Sequence, residues 1–93
     1  MKRSTVKKGK MVQFQYEGVP GSRVCVVGTF NDWDPRKHQL KASRRSGSYA
    51  GTALLSGGRH EYKFIVDGNW CSDTTCPDSV VNQYGTLNSV ISA

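Results

Sequence analysis

The sequence predicts an all-β domain, an immunoglobulin-like β-sandwich of about seven strands. Three observations point there. Apolar and polar residues alternate at a spacing of two in several short segments. No window of helical length shows a 3.6-residue period. Turn-forming clusters recur at roughly the 8–12-residue interval of a sandwich. Ninety-three residues make a single domain, and 37% hydrophobic with 22% charged residues is the balance of a globular chain.

Met11–Tyr16 places Val12, Phe14 and Tyr16 on one face and Gln13 and Gln15 on the other, a half-buried strand. Glu17–Ser22, with two glycines and Pro20, is a turn cluster. Arg23–Gly28 is a continuous β-branched run, short enough for a core strand. Thr29–Lys37 breaks the pattern with Asn31, Asp32, Asp34 and Pro35. Gln39–Lys41 is a brief strand, and Arg44–Ser48 a basic turn. Ser48–Leu55 is the next strand, closed by Ser56-Gly57-Gly58. Arg59–Val66 alternates again, His60, Tyr62, Phe64 and Val66 against Glu61, Lys63 and Ile65. Asp67-Gly68 after it is the strongest hairpin signal in the chain and leads into Asn69-Trp70-Cys71. Ser72–Gln83, with Pro77, reads as a long loop, and Leu87–Ser92 as the last strand.

Charge is unevenly spread. Five of the thirteen Lys and Arg residues fall in the first ten positions, which hold no acid; the remainder carries eight basic and seven acidic residues. Residues 1–10 are expected to be a disordered basic tail and residues 11–93 the folded domain. The tail either solubilises the chain or binds polyanions. A nucleic-acid-binding fold would carry its basic patch on the folded body, so nucleic acid is not the expected partner. No apolar run approaches the roughly 20 residues of a membrane span, and no apolar segment follows the basic start as in a secretory signal. No membrane partner is expected. Three cysteines, an odd number, suggest free thiols and a cytoplasmic protein.

Catalytic groupings are missing from the text. His38 falls in a loop, and His60 shares a strand face with Tyr62 and Phe64, so it is a packed or edge histidine. Asp32 and Asp34 suit turn formation. Cys71 and Cys76 have a loose zinc-ligand spacing, but a closed zinc site needs four ligands. Cys25 sits in a core strand as a small buried hydrophobe. Gly57-Gly58 is an isolated turn and no phosphate cradle. No enzymatic activity, metal or other cofactor is expected.

Both tryptophans occupy loop or turn positions. Trp33 is flanked by aspartates and Trp70 by Asn69 and Cys71, so both rings are expected to be exposed. A flat exposed indole is a platform for the apolar face of a pyranose, with polar side chains serving the hydroxyls at its rim. Lys63 leads toward Trp70 from the outward set of its strand, and Thr86 and Asn88 arrive through the last loop. Position alone leaves a capping role over the sandwich edge equally open.

The segments Val26–Trp33, His60–Trp70 and Gln83–Ser89 together resemble carbohydrate-binding module family 48, and within it the glycogen-binding domains of AMP-activated protein kinase β subunits. The resemblance spans roughly Gln13 to Ser92. It implies sugar-stacking roles for Trp33 and Trp70 and hydroxyl hydrogen bonds from Lys63. It also implies contacts from Tyr84, Thr86 and Asn88 in the closing loop. Leucine is frequent where this chain has Tyr84, a departure that either adds a stacking surface or narrows the site. The implied function is non-catalytic binding of an α-1,4-linked glucan, as glycogen, a starch-like polymer or a maltooligosaccharide. The rival is a protein-interaction or regulatory domain of a kinase subunit or amylolytic enzyme that ignores sugar.

Overall fold

The computed structural model describes residues 9–43 and 46–93. The expected disorder of the first eight residues, and Arg44 and Arg45 of the basic turn, lie outside them. The described residues form eight strands and no helix: β1 Gly9–Glu17, β2 Val24–Gly28, β3 Lys41–Ala42, β4 Ser48–Ser56, β5 Arg59–Val66, β6 Asn69–Cys71, β7 Ser79–Val81 and β8 Leu87–Ser92. β1 starts two residues before the expected domain boundary, because Gly9 and Lys10 pair with Ser56 and Leu55. β7 is a short strand inside the stretch read as a loop; it pairs Ser79–Val81 with Ser89–Leu87.

All pairings are antiparallel. One sheet has the order β1-β4-β3; the other has β2-β5-β8-β7, with β6 also pairing β5. The alternation in the sequence sets which face each sheet turns inward. Phe14 from β1, Tyr49, Ala53 and Leu55 from β4, Val24 and Val26 from β2, and Tyr62 and Phe64 from β5 share one buried core. Aromatic contacts tie the sheets together: Phe14 meets Tyr62 at 5.0 Å between centroids, and Tyr16 meets Phe64 at 5.3 Å.

β2 is buried on both faces, which explains its unbroken apolar run. Its outward residues Cys25 and Val27 form a second small cluster with Ile65, on which Trp33 packs. This outward face of the larger sheet carries the candidate site. Asp67 and Gly68 both take positive φ (50° and 86°), as a tight primed hairpin turn requires, and return the chain along β5 as β6. Cys25, Cys71 and Cys76 are all free thiols. Among the described residues, no three of His, Cys, Asp and Glu gather in a metal-binding arrangement.

Candidate functional site

The loop that presents Trp33 begins at Gly28. A Cβ there would collide with the Glu61 carbonyl oxygen and the Tyr62 side chain, so only glycine lets the chain leave β2 this close to β5. Asp32 and Trp33 both have φ of 57°, a left-handed conformation uncommon for a bulky side chain. Asn31, only 4% exposed, holds them there. Its Oδ1 accepts from Gly28 N at 2.9 Å, while its Nδ2 donates to Val26 O at 3.1 Å and His38 Nδ1 at 2.8 Å. The Asn31 and Trp33 N–H groups both donate to Gly28 O. Next to Trp33, side-chain and then backbone hydrogen bonds from Arg36 hold the Asp34 carboxyl down to about 2.

Trp70 comes from the opposite direction, on β6, paired with Ile65. Its ring centroid lies 6.5 Å from that of Trp33, with 29° between planes. A ring clasped between two indoles needs roughly 7–8 Å, two carbon–carbon contact distances. The pair therefore leaves no slot between the rings, and both present apolar surface to one cleft as its wall. Trp70 is 54% exposed, as expected; Trp33 is half-buried, because one side of its ring covers Cys25, Val27 and Ile65.

Polar groups face this wall across a cleft of about 900 Å³. Asn82 organises the loop between β7 and β8. Its Oδ1 accepts from the Tyr84 and Thr86 N–H groups, and its Nδ2 donates to Thr86 Oγ1 at 2.8 Å and Asn88 Oδ1 at 2.9 Å. Lys63 Nζ also donates to Thr86 Oγ1, at 2.9 Å. Both acceptor positions of that hydroxyl are thus filled, and its proton is left to donate into the cleft. Asn88 Nδ2 donates to Glu61 Oε1 at 3.0 Å. Lys63 lies on the outward face as its alternation predicts, yet it is only 8% exposed because the closing loop covers it. Its ammonium keeps two further donors.

All six residues singled out in the sequence line this one cleft: Trp33, Lys63, Trp70, Tyr84, Thr86 and Asn88. Tyr84 is 79% exposed at its rim, which is not the packing of a sandwich-edge residue. Thr29, Glu61, Asn82 and Gln83 line it as well, and the sequence reading did not include them. Glu61 was legible as the neighbour of Lys63 on the outward set of β5. Thr29 turns its hydroxyl to His60 Nδ1, whose Nε2 donates to Ser56 O; His60 is thereby a packed, satisfied histidine.

A β-sandwich with an open cleft of indoles, amides and hydroxyls on one sheet has the form of a carbohydrate-binding module. The family model described as the glycogen recognition site of AMP-activated protein kinase matches residues 10–93, and the chain belongs to this family. It is 37% identical over 71 residues to 5'-AMP-activated protein kinase subunit beta-1 of Sus scrofa, covering 76% of this chain and 54% of that sequence. It is likewise 37% identical to subunit beta-1 of Homo sapiens and 35% identical to subunit beta-2 of Mus musculus, covering 24% and 25% of those sequences. The chain thus spans about half of the first relative and about a quarter of the others.

Proposed function

We propose that the cleft binds α-1,4-linked glucan without catalysis, one run of glucose units lying against the Trp33–Trp70 wall. The observation that carries this is the convergence of the two near-parallel indoles, 6.5 Å apart, with Lys63, Tyr84, Thr86 and Asn88 around one cleft. The wall supplies the apolar contact. Lys63 and Thr86 supply hydrogen-bond donors, and Asn88 mainly holds the network in place.

Covering about 100–150 Å² of indole contributes roughly 3–4 kcal/mol gross. Ordering a flexible sugar and replacing its water offset part of this. With the hydrogen bonds of Lys63 and Thr86 adding about 1–3 kcal/mol, a short oligosaccharide should bind with a Kd on the order of 0.1–1 mM, and a polymer more tightly through multiple contacts. Electrophoresis through a glycogen-containing gel tests the reading: the protein should be retarded, and retardation should persist in salt.

The relatives are named as kinase subunits, which favours a protein partner in addition to the glucan. A cytoplasmic setting suits a glycogen ligand and three free thiols. Protein that ignores glycogen yet assembles with a kinase chain would reverse the order of these two roles.

A further inference from the structure

Glu61 and Lys63 stand two residues apart on β5, about 7 Å along the strand, and both line the cleft. Their hydrogen-bonding roles are opposite. Lys63 has two spare N–H donors, and Thr86 has a hydroxyl proton to give. Glu61 is held by one oxygen: Oε1 accepts from Asn88 Nδ2 at 3.0 Å, which fixes the carboxylate. Its Oε2 has no hydrogen-bond partner among the described residues. The ion pairs among those residues join Asp34 to Arg36 and Asp32 to Lys37, so neither engages Glu61 or Lys63.

A carboxylate that is half-buried, anchored through one oxygen and open through the other is a strong acceptor with no donor. A vicinal diol matches this arrangement, because one hydroxyl can accept while its neighbour donates. We propose that Glu61 is a specificity-determining residue of the cleft. Its Oε2 accepts a hydrogen bond from one hydroxyl of a 2,3-diol on glucose, while Lys63 or Thr86 donates to the other. This rests on the glucan reading above and adds that the cleft selects sugars with both hydroxyls free. A site with a buried acceptor rejects an analogue lacking the matching donor, since the acceptor is then left unpaired.

The diagnostic variant is Glu61→Gln. Its amide oxygen still accepts from Asn88, so the network and fold survive, but an N–H donor replaces the Oε2 acceptor. Isothermal titration with maltoheptaose, and with its 2-deoxy and 3-deoxy counterparts, reads the effect. Wild type should prefer maltoheptaose roughly tenfold over each deoxy sugar. Glu61→Gln, with an unchanged melting temperature, should bind maltoheptaose roughly tenfold more weakly and lose its preference against one of the two. If Glu61→Gln binds all three sugars as wild type does, Glu61 only supports Asn88 and the proposal is overturned. If wild type binds none of them, the glucan reading itself falls and takes this one with it.

Discussion

The Trp33 and Trp70 rings stack at 6.5 Å with 29° between their planes, yet the two residues are held in different ways. Trp33 rests on Cys25, Val27 and Ile65, whereas Trp70 projects from a three-residue strand with over half its surface in solvent. The two substitutions should therefore diverge. Trp70→Ala should abolish most glucan retention and change stability by less than about 1 kcal/mol. Trp33→Ala should abolish retention and also cost about 2 kcal/mol, less than a fully buried tryptophan, because it uncovers that cluster. Urea denaturation beside glycogen electrophoresis checks both. A Trp70→Ala protein that binds like the parent removes the stacking wall.

Asn31 should matter to binding without touching sugar. Asn31→Ala leaves Gly28 N and Val26 O without their buried partner and releases a loop with two residues at positive φ. The expected loss of stability is about 2–3 kcal/mol. In protein still folded, tryptophan fluorescence should broaden and glycogen retention should weaken. Asn31→Asp should fare little better, since a carboxylate accepts from Gly28 N but cannot donate to Val26 O or His38 Nδ1.

Much of this architecture was written in local patterns. Alternation in Met11–Tyr16 and Arg59–Val66 is enough to assign inner and outer faces, and Asp67-Gly68 specifies its own turn. β7 escaped notice because three residues beside Pro77 and Asp78 carry too little apolar signal to stand out from a polar loop. The burial of Lys63 was equally hidden. Its alternation assigns it to the solvent face, and only the fold brings Thr86 over it from 23 positions away. Asn82 and Glu61 are legible only after that closure, since their roles are to connect segments that are distant in the chain. Trp33 looked exposed from its flanking aspartates, whereas its positive φ turns one side of the ring onto β2 and β5.

Tyr62 couples the core to alkaline stability. Its hydroxyl donates to Asp73 Oδ2 at 2.6 Å. Burial, and then the bond to Asp73, raise its pKa well above that of a free phenol. The protonated form is thus favoured in the fold. Its contribution is complete below the unfolded value of about 10 and is lost as pH rises beyond it, by up to about 1.4 kcal/mol per unit. Tyr62→Phe should cost about 1 kcal/mol at pH 8 and show a flatter decline between pH 10 and 11. Urea midpoints across that range, compared with wild type, isolate Tyr62 from the other tyrosines.

Removing residues 1–8 should leave glycogen retention unchanged, because the indoles and polar groups that line the cleft lie between Thr29 and Asn88 and the sugar is uncharged. The cut spares Gly9, which pairs with Ser56. Any retention on heparin should fall, since Lys2, Arg3, Lys7 and Lys8 depart together. Loss of glycogen binding in the truncated protein would show that the basic segment takes part in sugar recognition.

Tyr84 provides the sharpest contrast between scaffold and contact. Its backbone N–H donates to Asn82 Oδ1, so the main chain at this point belongs to the Asn82 network. Its side chain is 79% exposed and stands at the rim of the cleft beyond Thr86. Truncation there should leave the fold alone, within about 0.5 kcal/mol. The phenol can stack on one glucose unit and hydrogen-bond through its hydroxyl to the next. Tyr84→Ala should then weaken maltoheptaose binding by about 1–2 kcal/mol, the scale of a lost aromatic contact. Tyr84→Leu should keep much of the affinity, because it restores an apolar side chain at the rim. Maltotriose, seated on the indole wall alone, should bind all three proteins alike. Isothermal titration with both sugars decides it: unchanged maltoheptaose affinity in a folded Tyr84→Ala protein removes Tyr84 from the site, and an equal loss for maltotriose means that the ring shapes the cleft rather than extending it.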